Sequence, residues 1–211
     1  MALTKIVKIN DKLSWALWKI DVPWTDLLHL LQPNDEEYQL LLKIRHPQKK
    51  AEFLAGRLAL RDLLASIGIH EFEMYKDSHG KPHIKKYSIH ISLANSYPHA
   101  AAIVHLESPV GIDIEKPSDK LIRVQHKFLH TSEWEIFSYD LEKLCLAWCA
   151  KESLYKLHGR KNLSFKANIL VQHLYYPKKP MLEAAIVVAD QHEMYTLHIV
   201  QEENFFITFN V

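Results

Sequence analysis

The order of hydrophobic patterns along the chain constrains the fold more than any other feature of its sequence. Helically spaced apolar residues are followed by segments in which apolar and polar residues alternate, and this order occurs once in each half of the chain. No internal sequence repeat accompanies it. We therefore expect an α+β fold of two halves, residues 1–107 and 108–211, divided near Glu107-Ser108-Pro109.

The first half is predicted to combine a β-hairpin, helices and short strands. Alternation at Lys5–Asn10 and Leu13–Ile20 predicts the hairpin, and Gly68 is placed to end the longest helix. The other predicted elements are helices at Thr25–Leu31, Asp35–Ile44 and about Gln48–Ser66, and strands at Phe72–Tyr75, His83–Lys85, Ser88–Ser92 and Ala101–His105.

The second half is predicted to repeat the order of helices and then strands. Ser132 and Glu135 have the spacing of a capping box, and Gly159 is placed to end the long helix. A strand predicted at Val110–Glu115 ends the first series of strands. It is followed by predicted helices near Leu121–Leu129, Glu133–Tyr139 and Glu142–Leu157, and by strands near Ile169–His173, Ala184–Val188, Tyr195–Val200 and Phe205–Phe209.

Composition excludes several classes of protein. The chain has 211 residues, with 26 Lys+Arg against 25 Asp+Glu, so bulk charge cannot hold a nucleic-acid duplex or a membrane surface. Its longest uncharged stretch, Tyr87–Leu106, contains histidines, serines, an asparagine and a proline that a bilayer core would reject. The N-terminus lacks the pattern of a secretory signal, and two cysteines make no disulfide framework. We expect a cytoplasmic protein that binds neither nucleic acid nor membranes.

The segment Gly111-Ile112-Asp113-Ile114-Glu115 is the first that points to chemistry. On a strand, Asp113 and Glu115 project from one face, about 7 Å apart, while Ile112 and Ile114 enter the core. Paired carboxylates on a stiff support suit Mg²⁺, particularly if a third acid comes from elsewhere in the fold. The structural alternative is a half-exposed strand with an acidic outer face.

A second such segment lies in the predicted long helix. At 100° per residue, Cys145, Cys149, Glu152 and Lys156 fall on one stripe, and Lys151 points away from it. Glu152 and Lys156 have the spacing of an ion pair on a solvated face, but the neighbouring cysteines argue for burial. Zinc binding by the cysteines is disfavoured because no second Cys/His pair accompanies them.

These segments together resemble a known enzyme family. Five stretches are similar to motifs of 4′-phosphopantetheinyl transferases of the monomeric, surfactin-synthetase-activating type. In the order of the chain they are Ala55-Gly56-Arg57, Gly80-Lys81-Pro82, Gly111-Ile112-Asp113-Ile114-Glu115-Lys116, Phe128-Leu129-His130-Thr131-Ser132-Glu133 and the stretch from Trp148 to Lys156. The similarity spans about residues 43–156. The first hairpin and the C-terminal strands match only in general character.

The resemblance implies an enzyme that transfers the 4′-phosphopantetheine arm of coenzyme A to a serine of an acyl or peptidyl carrier protein and releases 3′,5′-ADP. It implies a monomer of two similar α+β halves related by a pseudo-twofold axis, with coenzyme A and Mg²⁺ at the seam.

Residue roles follow from the same resemblance. Asp113, Glu115 and Glu152 would hold Mg²⁺; Glu152 would also help to deprotonate the serine, and Lys156 would balance charge on the leaving side. Contacts to the nucleotide and its phosphates would come from Lys43, His46, Arg57 and Lys81. Arg123, Lys127 and Phe128 are candidates for a carrier-docking patch.

One stretch departs from the family pattern. Where the family has a Ser-His-Ser-like run whose histidine reaches a phosphate of coenzyme A, this chain has Ala94 and Asn95 in the places of the first serine and the histidine. Asparagine donates a hydrogen bond but carries no charge, so we expect weaker affinity for coenzyme A. His99 is a candidate to compensate.

Two other functions remain open from the sequence. A Mg²⁺-dependent nuclease or phosphodiesterase would also use Asp113 and Glu115, although Lys116 and Pro117 do not give the E-x-K spacing that such sites favour. A relative that binds a carrier protein or a nucleotide without turnover would account for Asn95.

Overall fold

A computed structural model describes residues 2–160, 162–189 and 191–211. The chain divides into two compact units. The first comprises the residues up to Met74 together with Ile84–Ser108, and the second comprises Tyr75–His83 together with Pro109–Val211. Each unit packs helices on an antiparallel sheet, which confirms the predicted α+β class.

The first unit is built around a sheet with the strand order β1-β2-β6-β5. The predicted hairpin is present, with Ile6 opposite Ala16. The long helix α3 packs on β2 and β6, and its buried face is apolar except for Glu52 and Arg57. The elements up to β6 are β1 (Ala2–Lys8), β2 (Leu13–Lys19), α1 (Trp24–Leu31), α2 (Asp35–Leu42), α3 (Pro47–Ser66), β3 (Met74–Lys76), β4 (Pro82–Ile84), β5 (His90–Ser96) and β6 (His99–His105). Strands β3 and β4 pair with each other, and all of their residues except Met74 and Ile84 belong to the second unit.

The second unit contains a sheet with the order β7-β11-β10-β9-β8, so that β7 lies at an edge. Helix α6 packs on β7 and β11, which brings the two chemically informative segments together. The elements are β7 (Ile112–Glu115), α4 (Asp119–Phe128), a 3₁₀ turn (Thr131–Glu133), α5 (Trp134–Phe137), α6 (Leu141–His158), α7 (Phe165–Asn168), β8 (Ile169–Leu174), β9 (Met181–Val188), β10 (Gln191–Glu202) and β11 (Phe205–Asn210).

The ends of α6 are set by local chemistry. Asp140 caps its N-terminus by accepting a hydrogen bond from the backbone nitrogen of Lys143. Gly159 adopts a positive φ of 71° at its C-terminus, a conformation that suits glycine, and donates to the carbonyl of Tyr155. The predicted end of this helix at Gly159 is therefore confirmed.

Some predicted boundaries are wrong. The capping box is formed not by Ser132 and Glu135 but by His130 and Glu133: the His130 ring accepts from the backbone nitrogen of Ser132, and Glu133 accepts from the backbone nitrogen of His130. The helical segment begins as a 3₁₀ turn upstream of the predicted cap, which moves the box two residues toward the N-terminus. The strand predicted at Ser88–Ser92 instead spans His90–Ser96.

In the part of the chain that the structure describes, none of the helices combines the length and the hydrophobicity that a bilayer crossing requires.

Candidate active site

Strand β7 presents Asp113 and Glu115 as expected, but it does not leave both at the surface. Asp113 is only 6% exposed because α6 covers its face of the strand, whereas Glu115 is half-buried. Asp113 is therefore not part of a solvent-exposed acidic face of the strand. An Asp buried in this way needs a partner, since isolated buried charge is strongly unfavourable.

Lys156 of α6 is that partner. Its ammonium group donates to Asp113 Oδ1 at 2.6 Å and to the carbonyl of Ile112 at 3.2 Å. Burial raises the pKa of Asp113, and the bond from Lys156 opposes that rise. Burial would lower the pKa of Lys156, but the ion pair with Asp113 outweighs it and the pKa is raised. Lys156 therefore remains a cation beside the strand.

Glu152 lies one turn earlier on α6 and is half-buried. The pKa of Glu152 is raised to about 7, chiefly by burial and next by the negative charge of Asp113. Lys156 opposes this rise, and Glu115 adds a smaller contribution to it. Glu152 is thus electrostatically coupled to both strand carboxylates. Burial and the charge of Asp113 therefore place the protonation of Glu152 near neutral pH in the metal-free protein.

Helix α6 reaches β7 and β11 through direct bonds. Ser153 Oγ donates to the carbonyl of Thr208 at 2.8 Å, and the Cys149 thiol lies 3.5 Å from the carbonyl of Phe206. A Cβ at Gly111 would lie 2.7 Å from the backbone nitrogen of Leu157 and closer still to the carbonyl oxygen of Ser153. The close approach of the helix therefore depends on glycine at this position. The motif predicted no packing role for Gly111, although a glycine beside a buried strand is a signal of close backbone approach.

The cysteines on the predicted stripe are core residues. Cys145 and Cys149 are both free and fully buried, and burial raises the pKa of each thiol. Among the described residues, no group of three or more His, Cys, Asp or Glu side chains lies close enough to hold a metal ion as the structure stands.

The residues predicted to contact the nucleotide differ in exposure. Three of them are exposed: Lys43 at the end of α2, His46 directly before α3, and Asn95 on β5. Arg57 is buried on α3, where its Nε donates to Glu37 at 2.9 Å and its guanidinium group stacks on the Phe53 ring. Within the first unit, Arg57 lines a cavity of about 530 Å³.

Lys81, from the Gly80-Lys81-Pro82 segment, belongs to the second unit. Its ammonium group donates to the carbonyl of Leu157 at 2.5 Å, near the C-terminus of α6. Burial lowers its pKa, and Asp77 opposes that shift. Contact with a phosphate would have to compete with this carbonyl.

Two supporting suggestions from the sequence are wrong. His99 is 1% exposed on β6, so it is not placed at the surface to replace the missing histidine near Asn95. Phe128 is 1% exposed and packs edge-on against Trp148, so it cannot form part of a docking patch. Arg123 and Lys127 are exposed on α4.

Comparison with known proteins identifies the family. Residues 109–180, which include Asp113, Glu115, Glu152 and Lys156, match the model of the 4′-phosphopantetheinyl transferase superfamily. Residues 36–105 match that of the 4′-phosphopantetheinyl transferase N-terminal domain. A holo-[acyl-carrier-protein] synthase of Geobacillus sp. (strain WCH70) is 30% identical over 87 residues, which are 35% of this chain and 72% of the relative. The chain belongs to the 4′-phosphopantetheinyl transferase superfamily.

Two further relatives of this phosphopantetheinyl transferase superfamily member match shorter stretches. Holo-[acyl-carrier-protein] synthases of Bacillus pumilus (strain SAFR-032) and Lactococcus lactis subsp. cremoris (strain SK11) are 34% and 33% identical over 74 and 72 residues. Each stretch is 28% of this chain, and the chain spans 61% and 60% of these two relatives. The family predicted from the motifs is confirmed.

Proposed function

We propose that the protein transfers the 4′-phosphopantetheine arm of coenzyme A to a serine hydroxyl of an acyl or peptidyl carrier protein, with Mg²⁺, and releases 3′,5′-ADP. The observation that carries this proposal is the electrostatic coupling of Glu152 on α6 to Asp113 and Glu115 on β7, beside the cation Lys156. The names of the relatives, holo-[acyl-carrier-protein] synthases, support the same reaction. We further propose that it acts as a cytoplasmic monomer.

The donor set suits Mg²⁺, which prefers carboxylate oxygens and shares its coordination with substrate phosphates. We assign Asp113, Glu115 and Glu152 as the residues that would hold it. When bound, Mg²⁺ would neutralise charge that develops on the diphosphate during transfer. The raised pKa of Glu152 supports this assignment, because burial and then the negative charge of Asp113 disfavour an unpaired carboxylate at this position.

Two side chains of α6 are assigned to the chemical step. In it, the serine oxygen bonds to the phosphorus that carries pantetheine, and the bond from that phosphorus to the oxygen of the departing 3′,5′-ADP breaks. Glu152 would accept the serine proton directly or through a water molecule. Lys156, held as a cation by Asp113, offsets negative charge on the leaving oxygen.

We assign the nucleotide contacts to Lys43, His46, Arg57, Lys81 and Asn95. Lys43, His46 and Asn95 are exposed to solvent, and Lys81 lies within the same unit as Glu152. Arg57 is the exception, because a contact from its guanidinium group would have to form alongside its bond to Glu37.

The function is tested with a purified apo-carrier protein, fluorescent coenzyme A and Mg²⁺. Covalent labelling of the carrier and stoichiometric release of 3′,5′-ADP are expected. Cleavage of a DNA or RNA substrate in place of labelling would favour a Mg²⁺-dependent nuclease. Tight binding of coenzyme A or carrier without labelling would show a binding protein and contradict the proposal.

Restoring the family histidine is expected to strengthen coenzyme A binding. Asn95 is exposed on β5, so Asn95→His can present a donor that becomes charged as the pH falls below about 6.5. A charged contact to phosphate should improve affinity by about 1–2 kcal/mol at pH 6, and by less at pH 8. Calorimetric titration of parent and variant at both pH values measures this; equal affinities at pH 6 would contradict the assignment of Asn95.

A further inference from the structure

A fully buried ion pair lies beside the proposed catalytic residues but has no part in the chemical step. Glu133, in the 3₁₀ turn after α4, and Lys151 of α6 are both 0% exposed, and their charged groups lie 2.8 Å apart. Lys151 is adjacent in sequence to Glu152 but projects about 100° away from it around the helix.

The pair ties α6 to three other parts of the second unit. The ammonium group of Lys151 donates to Glu133, to the carbonyl of Phe165 at 2.9 Å and to the carbonyl of Ile169. Glu133 also accepts from the backbone nitrogens of His130 and Val171, each at 2.6 Å. All three N–H donors of Lys151 are therefore used, and the network joins the helix to the 3₁₀ turn, α7 and β8.

Stability alone is a weak explanation for this arrangement. Both side chains are completely removed from water, and the cost of desolvating two charges acts against the pair. Buried ion pairs can often be replaced by apolar residues without loss of stability. The hydrogen bonds add direction to the packing of α6, because each one requires its donor and acceptor to keep a defined distance and angle.

The rotation of α6 matters because Glu152 depends on it. A carboxylate about 6 Å from the helix axis moves by about 1.5 Å for a rotation of about 15°. An error of about 1 Å in a reacting group can lower a rate about a hundredfold. We propose that Glu133 and Lys151 are positioning residues that fix the rotation of α6 and so hold Glu152 beside Asp113; this inference rests on the proposed role of Glu152.

Two substitutions at Lys151 test the inference. Lys151→Met removes the charge and all three bonds, whereas Lys151→Arg keeps the charge but changes the length and shape of the donor. Both are expected to lower kcat for carrier labelling by ten- to a hundredfold, with KM for coenzyme A and carrier within threefold of the parent. The control is Lys49→Met, which removes a lysine paired with the buried Glu52 in the first unit; its kcat should be unchanged. A crystal structure of each folded Lys151 variant should show the Glu152 carboxylate displaced relative to Asp113 by about 1 Å or more.

The outcomes separate this inference from the proposed function. A folded Lys151 variant with parental kcat, or with Glu152 undisplaced, overturns the positioning role. Failure of both Lys151 variants to fold assigns the pair to stability alone and also overturns it. If the parent protein itself transfers nothing, the proposed function fails, and the crystallographic position of Glu152 then decides the positioning role by itself.

Discussion

Replacing Glu152 by glutamine is expected to lower phosphopantetheine transfer by at least about a thousandfold in a protein that remains folded. Glu152 is proposed both to hold Mg²⁺ and to accept the serine proton, and a neutral amide is a weaker ligand and no base. Single-turnover labelling of a carrier protein with saturating fluorescent coenzyme A measures the loss. Glu135→Gln is the control, because Glu135 is exposed on α5, and it should stay within twofold of the parent.

The same substitution should change how stability depends on pH in the metal-free protein. Burial and the charge of Asp113 raise the pKa of Glu152 from 4.5 to about 7, so the folded state binds its proton more tightly than the unfolded state. The contribution of Glu152 to folding is therefore greatest below pH 4.5 and is lost progressively as the pH rises through about 7. Glutamine has no proton to lose, so the variant should be more stable than the parent by about 1–3 kcal/mol at pH 8.

Urea unfolding in EDTA at pH 4.5 and pH 8 measures this difference. At pH 4.5 parent and variant should lie close together, and at pH 8 they should separate. A Glu152→Gln variant less stable than the parent at pH 8 would show that the negative charge is not in excess there. Transfer at the parental rate would independently remove Glu152 from the reaction.

The sequence predicted the facing of α6 because helix geometry is rigid. A rotation of 100° per residue placed Cys145 and Cys149 on one stripe and Lys151 away from it, and all three side chains are fully buried on the sides of the helix that this implies. What the periodicity could not predict was the partner of each charge. Lys156 has the spacing to pair with Glu152, yet it donates to Asp113, which is 43 residues distant in sequence.

Tertiary packing likewise accounts for the predictions that are wrong. The structural alternative for Asp113, a half-exposed strand with an acidic outer face, is wrong for this residue because α6 covers that face and buries the carboxylate. The capping box moved to His130 and Glu133 because Glu133 is drawn into the core by Lys151 and by the backbone of Val171. Lys151 and Val171 are both distant from Glu133 in sequence, so local sequence patterns could not predict that they bind it.

The second large effect is expected from Gly111→Ala, which should destabilise the protein by about 3 kcal/mol or more. The backbone of Gly111 does not lie in the left-handed region, so an added methyl group acts only through contact. That methyl would lie 2.7 Å from the backbone nitrogen of Leu157 and nearer still to the carbonyl of Ser153. Both are rigid helix backbone, so α6 as a whole must shift away from β7.

Such a shift should also reduce activity, because Lys156 and Glu152 both lie on α6. At a temperature where the variant is folded, transfer should fall at least about tenfold. Gly56→Ala is the matched control for stability: it lies inside α3, nothing outside its own helix lies within 4 Å of the added Cβ, and it should stabilise by about 0.5–1 kcal/mol. Denaturant unfolding of the parent, Gly111→Ala and Gly56→Ala proteins measures these differences in the free energy of unfolding. If Gly111→Ala matched the parent within about 0.5 kcal/mol, α6 would be free to move on the strand, and its contact with Gly111 could not be what holds Glu152 and Lys156 beside Asp113.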